Sequence, residues 1–85
     1  MDISKDGVLI TNRFFLCIDL LKDSGRMSSI ADFAETHGIN RSRLTLMRNN
    51  PEHVLLKPEV IKWLCEDYGV YVEYIIFGKG KILKQ

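Results

Sequence analysis

The stretch ADFAETHGINRSRLTLMRNN, residues 31 to 50, combines a glycine turn with a cluster of positive charge. Gly38 lies near its centre, and three arginines follow within residues 41 to 48. No acidic residue occurs between Glu35 and Glu52, although the formal net charge of the whole chain is only +1. A basic patch on an otherwise balanced protein is typical of a nucleic-acid site, and a solvated basic loop is the alternative interpretation.

Two short helices are predicted to meet at this glycine. Ser29 is a suitable N-cap for the earlier one, with Asp32 three residues later, in the spacing of a capping box. Gly38 is placed to end that helix in the left-handed conformation. Asn40 then caps the next helix, which is predicted over residues 41 to 49.

The connection between these two helices has only three or four residues, so they are expected to cross steeply, as in a helix-turn-helix. Ala34 is small enough to let them approach closely, and Ile39 anchors the turn. Leu44 and Met47 are the expected inward residues of the helix at 41–49. Its outward side is then rich in hydrogen-bonding groups, which suits entry into the major groove of DNA.

Residues 12 to 23 predict the first helix of the chain. Apolar residues recur there at helical spacing, in a stripe made of Phe14, Cys17, Ile18 and Leu21. Phe15 and Leu20 lie off this stripe, so the helix is expected to present apolar surface on a second side.

The second half of the chain predicts two more helices and no strand. Pro58, a residue favoured in first helical turns, opens the fourth helix, and Gly69 ends it. Its expected inward residues are Ile61, Leu64, Cys65 and Tyr68. A short fifth helix within VEYIIFG ends at Gly78, and the basic tail 79–85 is expected to fray. The predicted fold is an all-α, five-helix bundle that forms one domain over residues 1–85, with its core at about 12–78.

The composition excludes several classes of protein. The chain has 85 residues, of which 46% are hydrophobic, enough for one small packed domain and too many for a disordered chain. No apolar run reaches the roughly 20 residues of a membrane span, so no membrane association is expected. The first ten residues, MDISKDGVLI, lack the layout of a signal peptide, and a cytoplasmic protein is therefore expected.

No pattern indicates catalysis, a metal, a cofactor or a small-molecule ligand. Cys17 and Cys65 are isolated, without a CxxC motif or a histidine at ligand spacing, and are interpreted as two buried thiols. His37 is interpreted as a partly buried structural histidine. No Ser, Cys or Lys lies in a motif that activates a nucleophile, so an enzyme is not expected.

Two patterns in the chain resemble one known family. Ala34, Gly38, Ile39 and Leu44 have the spacing A-x-x-x-G-(I/V)-x-x-x-x-(I/L), which resembles the helix-turn-helix of lambda-repressor-like (Cro/XRE) domains. The run LCEDYGVYVEYIIFGKGKIL, residues 64 to 83, is similar to the closing signature of the same family. The resemblance covers about residues 12 to 83. It implies a compact five-helix DNA-binding domain, usually dimeric on a roughly palindromic operator.

The resemblance also implies roles for the third helix. The residues that match base-reading positions are Arg41, Ser42, Thr45 and Leu46. The residues expected to contact the DNA backbone are Asn49 and Arg43, which match family positions, and Arg48, which departs from the family because it stands where a glutamate is usual. The ion pair that this glutamate often makes within the domain is therefore absent, or inverted onto Asp19 or Asp23.

The expected function is sequence-specific binding of double-stranded DNA by a repressor-like transcriptional regulator. The alternative is a helix-turn-helix fold that serves as a protein-interaction module, in the manner of an antitoxin or adaptor. A homodimer is expected because one short helix reads too few bases for useful specificity. Surplus apolar residues motivate the dimer, namely Phe15, Leu20, Trp63, Ile75 and Ile76. Trp63 itself is interpreted either as part of the core edge or as an interface anchor.

Overall fold

A computed structural model describes residues 2–84, so Met1 and Gln85, the ends of the predicted domain, lie outside the described residues. The described part forms five α-helices: α1 (Lys5–Asp23), α2 (Ile30–Thr36), α3 (Arg41–Asn49), α4 (Pro58–Tyr68) and α5 (Val72–Phe77). Its β-type pairing is limited to one antiparallel bridge. The predicted all-α class is therefore confirmed over this range. No helix of residues 2–84 has the length and apolarity that crossing a bilayer requires.

Helix α1 begins earlier than its apolar stripe predicted, at Lys5 instead of residue 12. The Ser4 hydroxyl caps it by accepting a hydrogen bond from the Gly7 N–H at 3.1 Å. In the first two turns Leu9 is exposed and Thr11 is buried, which hides the helical period of apolar residues. The predicted start of the helix is therefore wrong for a specific reason: burial there does not follow residue polarity.

Helix α1 is buried on more than one side because α3 and α5 both pack against it. The predicted inward stripe is fully buried, namely Phe14, Cys17, Ile18 and Leu21. Phe15 is buried as well, with its ring edge-on to that of Phe14 and 5.1 Å between the centroids. Ile75 of α5 is also fully buried. Phe15 and Ile75 are therefore core residues, and their predicted role as surplus surface for a dimer is wrong.

Arg13 joins α1 to the end of α5. Its guanidinium donates hydrogen bonds from Nε to the Ile75 carbonyl at 2.7 Å and from Nη2 to the Ile76 carbonyl at 2.9 Å. Carbonyl groups in the last turn of a helix lack donors within that helix, and a cation there also interacts favourably with the helix dipole. Helix α5 has only six residues, so this contact stabilises a helix too short to form by itself.

The turn between α2 and α3 follows the predicted capping. Ser29 is the N-cap of α2, and Gly38 adopts the left-handed conformation with φ of 66°. The Asn40 side-chain oxygen accepts hydrogen bonds from the N–H groups of Ser42, at 2.8 Å, and Arg43, at 3.4 Å. Two of the free N–H groups in the first turn of α3 therefore have an acceptor, and α3 spans the residues predicted for it.

Helices α4 and α5 begin and end where the sequence predicted. Pro58 is the first residue of α4, and Gly69 and Gly78 follow the ends of α4 and α5 in the left-handed conformation. Among the predicted inward residues of α4, Leu64 and Ile61 are buried, whereas Cys65 and Tyr68 are half-buried. Of the two thiols, only that of Cys17 is thus fully buried.

The end of the tail after α5 is paired with the segment that joins α4 to α5. The Ile82 carbonyl accepts a hydrogen bond from the Tyr71 N–H at 2.9 Å, and the Gly69 carbonyl accepts one from the Lys84 N–H at 2.7 Å. Arg26, in the loop after α1, donates from Nη1 to the Lys84 carbonyl at 2.8 Å. The prediction that this tail frays is therefore wrong for its last described residues, because backbone pairing holds them.

Candidate nucleic-acid interface

Helix α3 presents a continuous strip of side chains to solvent. Its buried residues are Leu44 and Met47, as predicted. Successive residues of a helix are about 100° apart, so these two lie on one side of α3. The opposite side consists of Ser42, Thr45, Leu46 and Asn49, and all four are exposed. We call these four residues the outer strip.

The three arginines of α3 lie on the two flanks of the outer strip. Arg41 and Arg48 are seven residues apart and therefore share one flank, while Arg43 lies on the other. Contacts with neighbouring helices agree with this division. Arg48 touches Asp19 and Phe15 of α1, whereas Arg43 lines a groove between α3 and α4. Positive charge thus brackets the outer strip on both sides.

Arg48 is held against α1 by two contacts. Its Nη2 lies 2.6 Å from Asp19 Oδ2, and its guanidinium carbon lies 5.4 Å from the centroid of the Phe15 ring. Of the two acids that the sequence offered for an inverted ion pair, Asp19 is the partner and Asp23 is not. The two side chains of the pair are 44% and 41% exposed, so the pair contributes at most about 1 kcal/mol to stability.

Arg41 and Arg43 are both exposed and make no ion pair with another residue of the range 2–84. Helix α3 contains no acid, and the positive end of its dipole lies in the same first turn as these two arginines. The N-terminal half of α3 is therefore a surface that favours an external negative charge.

The groove between α3 and α4 has a volume of about 230 Å³. Leu44 and Val60 supply buried apolar lining, and Arg43, Lys57 and Leu55 supply exposed lining. This volume is below the range of about 300–1,000 Å³ that is usual for small-molecule sites. Lys57 lines the same groove as Arg43 and stands at the end of a loop that no helical pattern of the sequence describes.

His37 fixes the end of α2 to α4. Its Nε2 lies 2.5 Å from Asp67 Oδ2, and its ring stacks on that of Trp63, with 4.5 Å between centroids and 6° between planes. The ring also lies edge-on to Phe33, at 5.3 Å between centroids. This half-buried histidine therefore makes the structural contacts that the sequence suggested. Trp63 packs at the edge of the core, the first of its two predicted roles.

The two thiols are held in their protonated form. Burial raises the pKa of Cys17 to about 12, with the nearby Cys65 as a second cause. Burial also raises the pKa of Cys65, against the opposing effect of Lys84. A thiol that stays protonated at neutral pH is a poor nucleophile and a poor metal ligand. Within residues 2–84, no group of three or more His, Cys, Asp or Glu side chains is arranged to hold a metal ion.

Comparison of the chain with protein-family models, curated proteins and solved structures gives no match. What α3 is able to bind must therefore be inferred from its own shape and charge. These are an exposed strip with hydrogen-bonding groups, an arginine-bearing flank on each side, and no acid on the helix.

Proposed function

We propose that this chain binds double-stranded DNA in a sequence-specific manner, as a repressor-like transcriptional regulator of the lambda-repressor-like (Cro/XRE) type. In this proposal α2 and α3 form the helix-turn-helix, and α3 is the recognition helix that enters the major groove. The observation that carries the proposal is the surface of α3, whose exposed strip lies between arginines and contains no acid.

The charge distribution of α3 suits a major groove. The groove is about 12 Å wide, admits an α-helix and has phosphates along both edges. With the outer strip facing the bases, Arg43 would face the phosphates of one strand and Arg48 those of the other, while Arg41, in the first turn, would reach the base edges.

Two side chains of α3 favour particular base edges. Arg41 lies in the first turn, and its planar guanidinium matches the O6 and N7 acceptors of guanine. Leu46 is 53% exposed and cannot form a side-chain hydrogen bond, which suits contact with the methyl group of thymine. The hydroxyl groups of Ser42 and Thr45 are able to hydrogen-bond with the edges of several bases. Ser42 is therefore expected to discriminate little between bases. The proposed half-site therefore contains a G and, a few base pairs away, a T.

Backbone contacts in this proposal come from Arg43, Arg48 and Asn49. Arginines that bind phosphate contribute affinity to every sequence, since the phosphate backbone is the same throughout. Replacing Arg43 by alanine should weaken binding to all duplexes alike and reduce the salt slope by about one, and Arg48→Ala should do the same to a smaller extent because Asp19 competes for its guanidinium. An unchanged slope in both variants would remove these residues from the backbone contacts.

Selection from random duplexes tests the base assignment. Wild type, Arg41→Ala and Ser42→Ala are run in parallel, with Ser42→Ala as the control on the same strip. The Arg41→Ala variant should lose preference at one G and about 1 to 3 kcal/mol of affinity for the preferred site, whereas Ser42→Ala should keep the preference. Identical preferences in wild type and Arg41→Ala would remove the guanine assignment. Wild-type protein with no salt-dependent retention on duplex DNA would overturn the proposed function itself.

A homodimer is part of the proposal, because two copies would reach successive major grooves about 34 Å apart on one face of the DNA. The structure changes the set of apolar residues available to a dimer. Large apolar side chains exposed outside α3 are Leu9, Leu16, Leu55, Val72 and Phe77. Sedimentation tests the assembly, and a monomer both free and on a duplex with two half-sites would remove the dimer.

One observation favours the alternative, a helix-turn-helix fold used as a protein-interaction module in the manner of an antitoxin or adaptor. Leu46 and Leu55 are each about half exposed, and Leu55 borders the groove between α3 and α4. Exposed leucines, one of them at the edge of a groove, also suit a protein partner. Retention on random duplex DNA separates the two functions, because DNA binding declines steeply with salt whereas an apolar protein contact does not.

A further inference from the structure

We propose that Asp19 limits the sequence-independent part of DNA binding by neutralising Arg48 and holding it against α1. The inference rests on the proposed function, because its effect is exerted on a DNA contact. Asp19 is in this view a positioning residue, since it acts on the DNA only through Arg48. It leaves the choice of bases, which belongs to the outer strip and Arg41, unchanged.

The geometry of the Arg48 side chain carries this inference. Asp19 Oδ2 lies 2.6 Å from Arg48 Nη2, and the guanidinium lies over the ring of Phe15. Phe15 is buried, so the surface against which the guanidinium rests is fixed in the core. Among residues 2–84, Asp19 is the acid that pairs with Arg48. The Asp19 carboxylate and the Phe15 ring therefore determine together where this arginine lies, and the carboxylate determines how much charge it presents.

The pair changes what a phosphate encounters on this flank of α3. An arginine already paired with a carboxylate must exchange that partner for the phosphate, and the exchange leaves Asp19 unpaired beside the charge of the DNA. Both consequences weaken a contact that is the same for every sequence. Since the pair is partly exposed, the exchange is sterically open, and the carboxylate acts by competition with the phosphate.

Asp19→Asn tests this directly, because asparagine keeps the shape of the side chain and removes its charge. Asp23→Asn is the matched control, since it removes one negative charge from the same helix at a position that does not pair with Arg48. The dissociation constant is measured for random and preferred duplexes at several salt concentrations. With a slope of about 0.9 per phosphate, completing the partial Arg48 contact increases the loss of affinity between 50 and 200 mM salt by up to about 3.5-fold. We expect this increase, and tighter binding to both duplexes, for Asp19→Asn alone.

Two further variants identify the route of the effect. In an Arg48→Ala background, Asp19→Asn should no longer steepen the salt slope, because no arginine is left to release. Asp19→Glu should restore wild-type behaviour, because it keeps the negative charge that pairs with Arg48. Thermal unfolding accompanies each variant, and the midpoints should stay close to that of wild type because the ion pair is partly exposed.

The outcomes separate this proposal from the proposed function. Equal salt slopes for Asp19→Asn and Asp23→Asn, with wild type still binding DNA, would overturn the role of Asp19 and leave the function standing. Weaker binding of Asp19→Asn with altered base preference would mean that the pair places α3, and would also overturn the proposal. Wild-type protein that does not bind DNA in a salt-dependent manner would overturn both.

Discussion

The single variants Leu44→Ala and Leu46→Ala remove the same side-chain atoms from two positions of one helix. Leu44 is 1% exposed and Leu46 is 53% exposed, so only the former leaves an unfilled space in the core. A buried Leu→Ala change costs about 2 to 5 kcal/mol, the sum of lost transfer free energy and a cavity term. Leu44 also lines the groove beside α4, so the vacated space is continuous with solvent and is not a sealed void. We therefore expect about 2 to 3.5 kcal/mol for Leu44→Ala and less than about 0.5 kcal/mol for Leu46→Ala.

Urea unfolding followed by far-UV circular dichroism measures this difference. A chain of this length has an unfolding free energy of about 4 to 13 kcal/mol, so Leu44→Ala should still fold. With a denaturant slope near 1 kcal/mol per molar, its midpoint should fall by about 2 M or more, while that of Leu46→Ala should stay within about 0.5 M of wild type. Equal midpoints for the two variants would refute the assignment of Leu44 to the inward side of α3.

Substitutions at four other positions have expected outcomes. Asn40→Ala removes the acceptor for two N–H groups of α3 and should cost about 1 kcal/mol in urea titrations, whereas Asn40→Asp should cost little. Gly38→Ala should cost about 1 to 2 kcal/mol through the left-handed φ of 66° alone, because no atom lies within 4 Å of the added Cβ; an unchanged midpoint would contradict this. Burial raises the pKa of Cys17 from 9.0 to about 12, so the folded chain holds a proton that the unfolded chain releases. The resulting stabilisation is complete below about pH 9 and is lost as pH rises towards about 12. Between these pH values the unfolding free energy of wild type should therefore fall more steeply than that of Cys17→Ala. Parallel pH profiles for the two proteins would count against the raised pKa. If the chain binds DNA as proposed, Lys57→Ala, which lies on the same groove as Arg43, should reduce the salt slope of binding by about one, and an intact slope would place Lys57 off the DNA.

The boundaries of α2 to α5 were well predicted from sequence, because the residues that cap helices act locally. Ser29 and Asn40 satisfy N–H groups within three residues of themselves, and Gly38 ends α2 through its own backbone angle. Such signals need no knowledge of the rest of the chain. Ser4 is a signal of the same kind, and it could have marked the start of α1 if capping had been weighed above the apolar stripe.

The features that sequence reasoning missed depend on contacts between distant residues. Phe15 and Ile75 are buried because α1 packs against two helices, and one apolar stripe cannot report a second neighbour. Arg13 donates to carbonyls more than 60 residues away. The pairing of the tail with Gly69 and Tyr71 uses backbone groups, which every residue possesses and no side-chain pattern reveals.

The candidate site also has features that local sequence predicted and features that depend on contacts between distant residues. Which side of α3 faces outward followed from Leu44 and Met47, because helical geometry relates positions a few residues apart. Which acid pairs with Arg48 did not follow, since Asp19 and Asp23 lie one turn apart on the same helix and only the packing of α1 against α3 selects between them. Lys57 enters the site through the loop before α4, whose path no periodicity describes.

The stack of Trp63 on His37 gives the chain an optical probe of its own. Trp63 is the single tryptophan, so its emission originates at one junction, where the end of α2 meets α4, whereas far-UV circular dichroism averages over every helix. Coincident unfolding curves from the two signals would establish that this junction opens together with the whole domain. Emission that changed at lower urea would instead show that α2 separates from α4 before the rest of the domain unfolds. The turn before α3 would then be the least stable part of the chain, and no added fluorophore would be needed to detect it.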